Sequence, residues 1–196
     1  MLWVILAIAA AVAFATANII DKFVMSHEMK DARLAVVTYG IMGFVLFAAA
    51  SLIFGGESLS TELKIFSALT GVCYCSGIMC YYSAISKEEV SKAVPVFSTI
   101  PLFILILAYF LLDERLTLIK YAGVLAIVAG AVLISVKLSG GKFSFKKSFW
   151  ILLLGAFFFA AGDVAIKYVT DSVSIWSMML WLGFAVGAFA LVTFIL

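Results

Sequence analysis

Charge is what this 196-residue chain has least of: Asp, Glu, Lys and Arg make up 12% of it, against 66% hydrophobic residues. An ordinary soluble domain carries about 25% charged and roughly 45–50% apolar residues. Too little polar surface is left to cover a water-soluble core, and the composition places the chain in a membrane. The basic excess is small, 13 Lys plus Arg against 11 Asp plus Glu, and no basic run is long enough to track phosphates, which sets nucleic acid aside as a partner. Histidine occurs once, as His27 in a charged segment. No apolar span therefore holds an imidazole to activate a serine, and His27, with no histidine or cysteine near it, is not a credible metal ligand. The three cysteines (Cys73, Cys75, Cys80) share one apolar stretch. An odd number of thiols in lipid is no disulfide framework, and no metal or cofactor is expected.

Long apolar runs are abundant. About 20 apolar residues at 1.5 Å rise cross a hydrocarbon core of about 30 Å, and seven such windows run from Met1 to Ile20, Leu34 to Phe54, Ile65 to Ile85, Val94 to Leu112, Leu118 to Val136, Phe149 to Tyr168 and Ile175 to Leu196. The first has no basic flank and is too long for a signal peptide's apolar region, so it reads as a transmembrane helix. The windows lack the strict alternation of barrel strands. The predicted fold class is an all-α polytopic membrane protein with seven transmembrane helices. The last window stops at Leu196 without a polar flank, which suggests truncation.

A repeat is visible at an offset of 145. It sets ANIIDKFV (Ala17 to Val24) over GDVAIKYV (Gly162 to Val169), so that Asn18 falls on Asp163 and Lys22 on Lys167. Residues 1–138 then form one five-helix unit, 139–147 a basic, Gly-rich linker, and 148–196 the first two helices of a second unit. Two five-helix units in tandem must be inverted relative to one another. Basic residues follow suit. Lys22, Lys30, Arg33, Lys87, Lys92, Lys137, Lys142, Lys146 and Lys147 lie on one side, against Lys64, Arg115, Lys120 and Lys167 on the other. The positive-inside rule makes the first side cytoplasmic and puts the N-terminus outside.

The stretch from Tyr81 to Ser135 carries a Tyr-Tyr-Ser-Ala helix end, a proline-containing fourth span (Pro95, Pro101), DERLT at its close and a glycine-containing fifth span (Gly123, Gly130). This combination, with the Asn18-to-Lys22 pattern, resembles the EamA-type proteins of the drug/metabolite transporter superfamily. The resemblance implies ten helices in two inverted five-helix repeats and a carrier or exporter of metabolites such as amino acids. Spans eight to ten, and the second proline and Glu-Arg pattern, are absent from this sequence.

Several residues are candidates for the substrate pathway or for coupling. Asp163 lies about 14 residues, roughly 21 Å, into span six, where an acid costs about 2.5–3.5 kcal/mol to insert. It is either a proton-coupling or substrate-amine site, or the partner of Lys167 one turn on, in the favourable acid-first order. Lys22 either attracts a carboxylate substrate or is an interfacial lysine beside Asp21, with Asn18 in the place matching Asp163. Pro101 cannot donate to the carbonyl of Phe97 and is expected to kink span four, leaving a free acceptor beside Ser98 and Thr99. Pro95 reads as a helix-start proline. Tyr74 and Tyr81 share a face of span three and line a cavity or meet the interface.

Other residues read as packing or family-motif positions. Thr70, Cys73, Gly77, Cys80 and Ala84 make a small-residue face on span three, and Gly183 and Gly187 a GxxxG in span seven. Glu114 and Arg115 close the turn after span four. Trp176 reads first as a belt residue.

The function expected is a secondary transporter that moves a small metabolite, an amino acid, drug-like or other polar solute, across the cytoplasmic membrane by alternating access, as an exporter. The alternative is a non-transporting structural or regulatory subunit, or a truncated carrier fragment, acting through helix packing. An enzyme is not expected, because an aspartyl mechanism needs two carboxylates sharing a proton and Asp163 is the sole acid deep in a span. The partners are the lipid bilayer, a small-molecule substrate and, if the chain is this short in the cell, a second copy in a homodimer.

Overall fold

The computed structural model describes residues 2–27, 31–86, 90–115, 117–138 and 147–196. Residues 139–146 of the 139–147 linker and most of the charged run after Ser86 lie outside them. The described residues form helices only: α1 (Leu2–His27), α2 (Ala32–Phe54), α3 (Thr61–Ile85), α4 (Val90–Phe97), α5 (Ile100–Leu112), α6 (Leu118–Leu138), α7 (Lys147–Thr170) and α8 (Ile175–Ile195). Six stretches are long and apolar enough to cross a bilayer, one of them Pro95–Leu112 across α4 and α5, and Leu118–Ala131 of α6 is a shorter apolar helix. The chain is an integral, multi-pass membrane protein.

Helix ends follow local chemistry. Asp31, Ser60 and Ser174 are extended N-cap residues whose side chains accept from the backbone N–H of Arg33, Leu63 and Trp176, filling donors that have no intrahelical partner. Gly55 stops α2 at φ 68°, the left-handed region that favours glycine. Asp113, the first residue of DERLT, closes α5 at φ 50°, a conformation that Asp tolerates better than most residues.

Three expectations need correction. The first helix does not stop at Ile20 but runs to His27, so Asp21 and Lys22 are helical residues. The third begins at Thr61 rather than Ile65. The two prolines exchange roles. Pro101 sits at the start of α5 and Pro95 lies inside α4, so span four is broken at Ser98–Thr99 rather than kinked at Pro101. The break follows from proline's missing N–H. It is harmless in the first turn of a helix, and α5 uses Pro101 there. The turn is closed by Thr99, whose backbone N–H and Oγ1 both donate to the carbonyl of Val96, at 3.0 and 2.6 Å.

The densest packing joins α2 to α8 and α3 to α7, with α3 also against α8. Hydrophobicity does not drive helices together in lipid, so close approach of small residues does. A Cβ on Gly40 would overlap that of Ala190, Gly183 and Gly187 seat the side chains of Phe47 and Phe44, and Gly155 lies where a Cβ would come 2.9 Å from that of Cys80. The small face of α3 is this seam, with Gly77 opposite the ring of Phe159. Gly123 and Gly130 of α6 differ from the expectation of packing positions: a Cβ at either would meet nothing among the described residues within 4 Å.

Helix directions follow from the contacts. On α1 and α3, Asn18 meets Tyr81 and Lys22 meets Ile85, so the pairs advance together and the two helices are parallel. On α3 and α7, Glu62 meets Tyr168, Tyr74 meets Asp163 and Cys80 faces Gly155, so these two are antiparallel. Helices α1 and α7 therefore run in opposite directions.

Candidate functional site

Helix α3 stands between α1 and α7 and offers tyrosine hydroxyls to both. Tyr81 donates to Oδ1 of Asn18 at 2.8 Å and Tyr74 donates to Oδ1 of Asp163 at 2.5 Å. The tyrosines are two turns, about 10.5 Å, apart on one face. Asn18 is buried and Asp163 half-buried. The positions that the sequence sets over one another at an offset of 145 thus make the same kind of contact with one face of α3, at two levels. A buried polar group left unpaired in a bilayer costs several kcal/mol, and here each has a donor.

Glycine makes room for the rest of the site. Gly77, midway between the tyrosines on α3, admits the Phe159 ring, and Gly162 on α7 seats Tyr74. Phe159 lies 5.8 Å from Tyr74 and 5.6 Å from Phe97, and Phe97 lies 5.3 Å from Tyr81, between ring centroids. Phe97, the last residue of α4, therefore ties the helix break to both tyrosines. Ser98 and Thr99 are half-buried at the break.

One pairing weighed from sequence is not formed. Asp163 does not pair with Lys167. Lys167 reaches Glu114 of DERLT at 3.0 Å and Asp171 at 3.1 Å instead, because a lysine near a helix end extends toward water. Glu114 thereby joins the end of the fourth span to α7 rather than anchoring the fifth, and Arg115 is exposed. Lys22, read either as attracting a carboxylate substrate or as an interfacial lysine beside Asp21, donates to the carbonyl of Ile85 at 2.7 Å, where the negative end of the α3 dipole favours a cation. Trp176 stacks on Phe54 with centroids 4.1 Å apart.

Sequence reading missed Phe159, Tyr82, Asp21 and Tyr39. Phe159 had a signal, since it precedes Asp163 by one turn. Asp21 was hidden by ending the first helix at Ile20. Its carboxyl accepts from the Tyr82 hydroxyl at 3.2 Å, a second acid held by an α3 tyrosine.

Chemically, the site is an acid inside a membrane helix, with one hydroxyl donor, flanked by an aromatic cluster. Among the described residues no Lys or Arg lies within ion-pair distance of Asp163. Such a carboxyl can exchange a proton or receive an ammonium group.

The EamA-like transporter family matches residues 1–136, which takes in α1 to α6 save the last turn. A protein of Escherichia coli (strain K12) named "Probable amino-acid metabolite efflux pump" is 28% identical over 140 residues, covering 66% of this chain and 47% of that protein. The match thus spans about half the length of that relative. No solved structure matches significantly.

Proposed function

Because the chain belongs to the EamA-like transporter family, we propose that it serves in a secondary carrier that exports a small metabolite across the cytoplasmic membrane by alternating access. The relative's printed name favours amino-acid metabolites as the cargo. One observation carries the reading: Asp163 is placed within a membrane helix and is held by Tyr74 rather than neutralised by Lys167. An acid at that depth is costly, and a side chain kept at that cost marks a functional site.

The reading takes 1–138 and 148–196 as two units in inverted orientation, and the opposite directions of α1 and α7 support it. Helices α1 and α7 run oppositely, and their matched polar residues, Asn18 and Asp163, meet α3 at two levels. Rocking of α7 relative to α1 would trade one tyrosine contact against the other while the break at Ser98–Thr99 exposes backbone carbonyls to the path, as discontinuous helices do in carriers. The lysine-rich side faces the cytoplasm and the N-terminus lies outside.

The test is export from proteoliposomes or everted vesicles holding the full-length protein, with labelled amino acids and their derivatives as cargo. Export that falls to background with Asp163→Asn and survives Lys167→Ala is the expected result. A folded protein that exports none of them, with Asp163→Asn behaving as wild type, overturns the proposal in favour of a subunit that acts only through its helix seams.

A further inference from the structure

A groove between α1, α2 and α3 lies apart from Asp163 and holds the second acid, Asp21. Its volume is about 380 Å³, and Asp21, Met25, Tyr39, Met42, Phe47 and Tyr82 are among its walls. Small-molecule pockets span about 300–1,000 Å³, so the space suits a ligand of modest size.

The polar groups of the groove are few and their commitments can be followed one by one. Thr38 donates its hydroxyl back to the carbonyl of Leu34 at 2.9 Å. Tyr82 donates to Asp21. Lys22, next to Asp21 in sequence, is turned to Ile85 at the end of α3. Asp21 forms no ion pair among the described residues, and a carboxylate offers about four lone-pair sites, of which Tyr82 fills one. The groove thus presents one carboxyl, a tyrosine hydroxyl from Tyr39 and walls of methionine and phenylalanine, with no cationic side chain among the described residues that line it. Methionine adapts to irregular apolar shapes, and an aromatic face attracts a cation. A carboxylate ligand would be repelled by Asp21, and a purely apolar one would desolvate that acid without supplying a counter-charge.

We propose that this groove binds a small aliphatic amine, with the ammonium on Asp21 and the alkyl chain along Met42 and Phe47. The site is separate from Asp163. Tyr82 and Tyr74, which hold the two acids, are eight residues or about 12 Å apart on α3. Binding at Asp21 does not depend on transport.

The experiment is equilibrium binding of labelled hexylamine to the full-length protein in zwitterionic-lipid nanodiscs, corrected with empty nanodiscs. Saturable binding is expected, weakened at least about tenfold by Asp21→Asn, in line with the loss of a charged hydrogen bond, and weakened far less by Asp163→Asn. Hexanol and hexanoate should not compete. Met42→Trp, which leaves Asp21 in place and fills the groove, should also abolish binding in a protein that still elutes as a folded species. Binding no greater than to empty nanodiscs, equal competition by hexanol, or indifference to Asp21→Asn or to Met42→Trp overturns the proposal. An effect of Asp163→Asn equal to that of Asp21→Asn also overturns it, by assigning the amine to the other acid.

Discussion

Helices α1 and α7 carry the same polar pattern and live in different surroundings. Asn18 and Asp163, and Lys22 and Lys167, correspond in sequence, and both helices are rich in alanine. Yet α7 is wedged among α3, α4 and α5, with Leu152, Gly155, Ala156, Ala160, Val164, Ala165 and Val169 buried, whereas α1 touches α3 and α4 lightly and buries only Asn18 and Met25 among its described side chains. Small residues permit close packing, but they do not by themselves bring a partner. In α7 the glycines face a complementary seam on α3. In α1 what fixes the helix is polar: Asn18 on Tyr81, Asp21 on Tyr82 and Lys22 on Ile85. One helix is held by shape, the other by hydrogen bonds.

The largest expected effect separates these two modes. Gly155→Leu drives a side chain into Cys80 and the α3 backbone at Gly77, and overpacking of this kind costs about 1–3 kcal/mol, occasionally more. Ala10→Leu on exposed α1 adds the same type of bulk and should leave stability within about 0.5 kcal/mol of wild type. Unfolding in mixed micelles, followed by helical circular dichroism, measures both. Equal losses would mean that α1 is packed as tightly as α7 and would end the comparison.

The next effect compares the hydrogen bonds that the helices share. Bonds between transmembrane helices are worth about 0.6 kcal/mol on average and about 1.7 at most. Tyr74→Phe removes the single donor to an acid, at 2.5 Å, and should lie near the upper figure. Tyr81→Phe removes a longer bond to a neutral amide and should lie near the average. The same unfolding measurement ranks them, and a larger loss for Tyr81→Phe would shift the weight of the polar site from α7 to α1.

Much of the shape-held part was legible in the sequence, and less of the polar part. Apolar runs need only length to declare themselves, and small residues at three- and four-residue steps mark a seam, as Thr70 to Ala84 and Gly183 with Gly187 did. Gly123 and Gly130 show the limit of that signal, since spacing says nothing about whether a neighbour is there. The extent of α1 was misread because a charged residue after an apolar run looks like its end; Asp21 and Lys22 stay helical because tertiary partners on α3 receive them. Pro95 was read as the helix start and Pro101 as the kink, and the reverse holds, because a proline's residue type does not say whether its missing N–H falls in a first turn or in a helix interior. The partner of Asp163 was hidden as well. Lys167 is near in sequence, whereas Tyr74 is near only after α3 and α7 have met.

The smallest effect tests the two lysines. Lys22→Met keeps the apolar stem and removes the ammonium from the Ile85 carbonyl. A cation at a helix C-terminus contributes typically 0.3–1 kcal/mol, so a loss of about that size is expected. Lys167 is solvent-exposed and its bridges to Glu114 and Asp171 are half-exposed, where ion pairs contribute little and salt screens them. Lys167→Met should therefore leave the unfolding midpoint unchanged. Raising the salt concentration sharpens the contrast: the backbone contact of Lys22, half-buried between α1 and α3, should keep most of its contribution. If Lys167→Met proves the more damaging of the two, the DERLT turn is a fastening of α7 in its own right, and α7 is then held by charge as well as by shape.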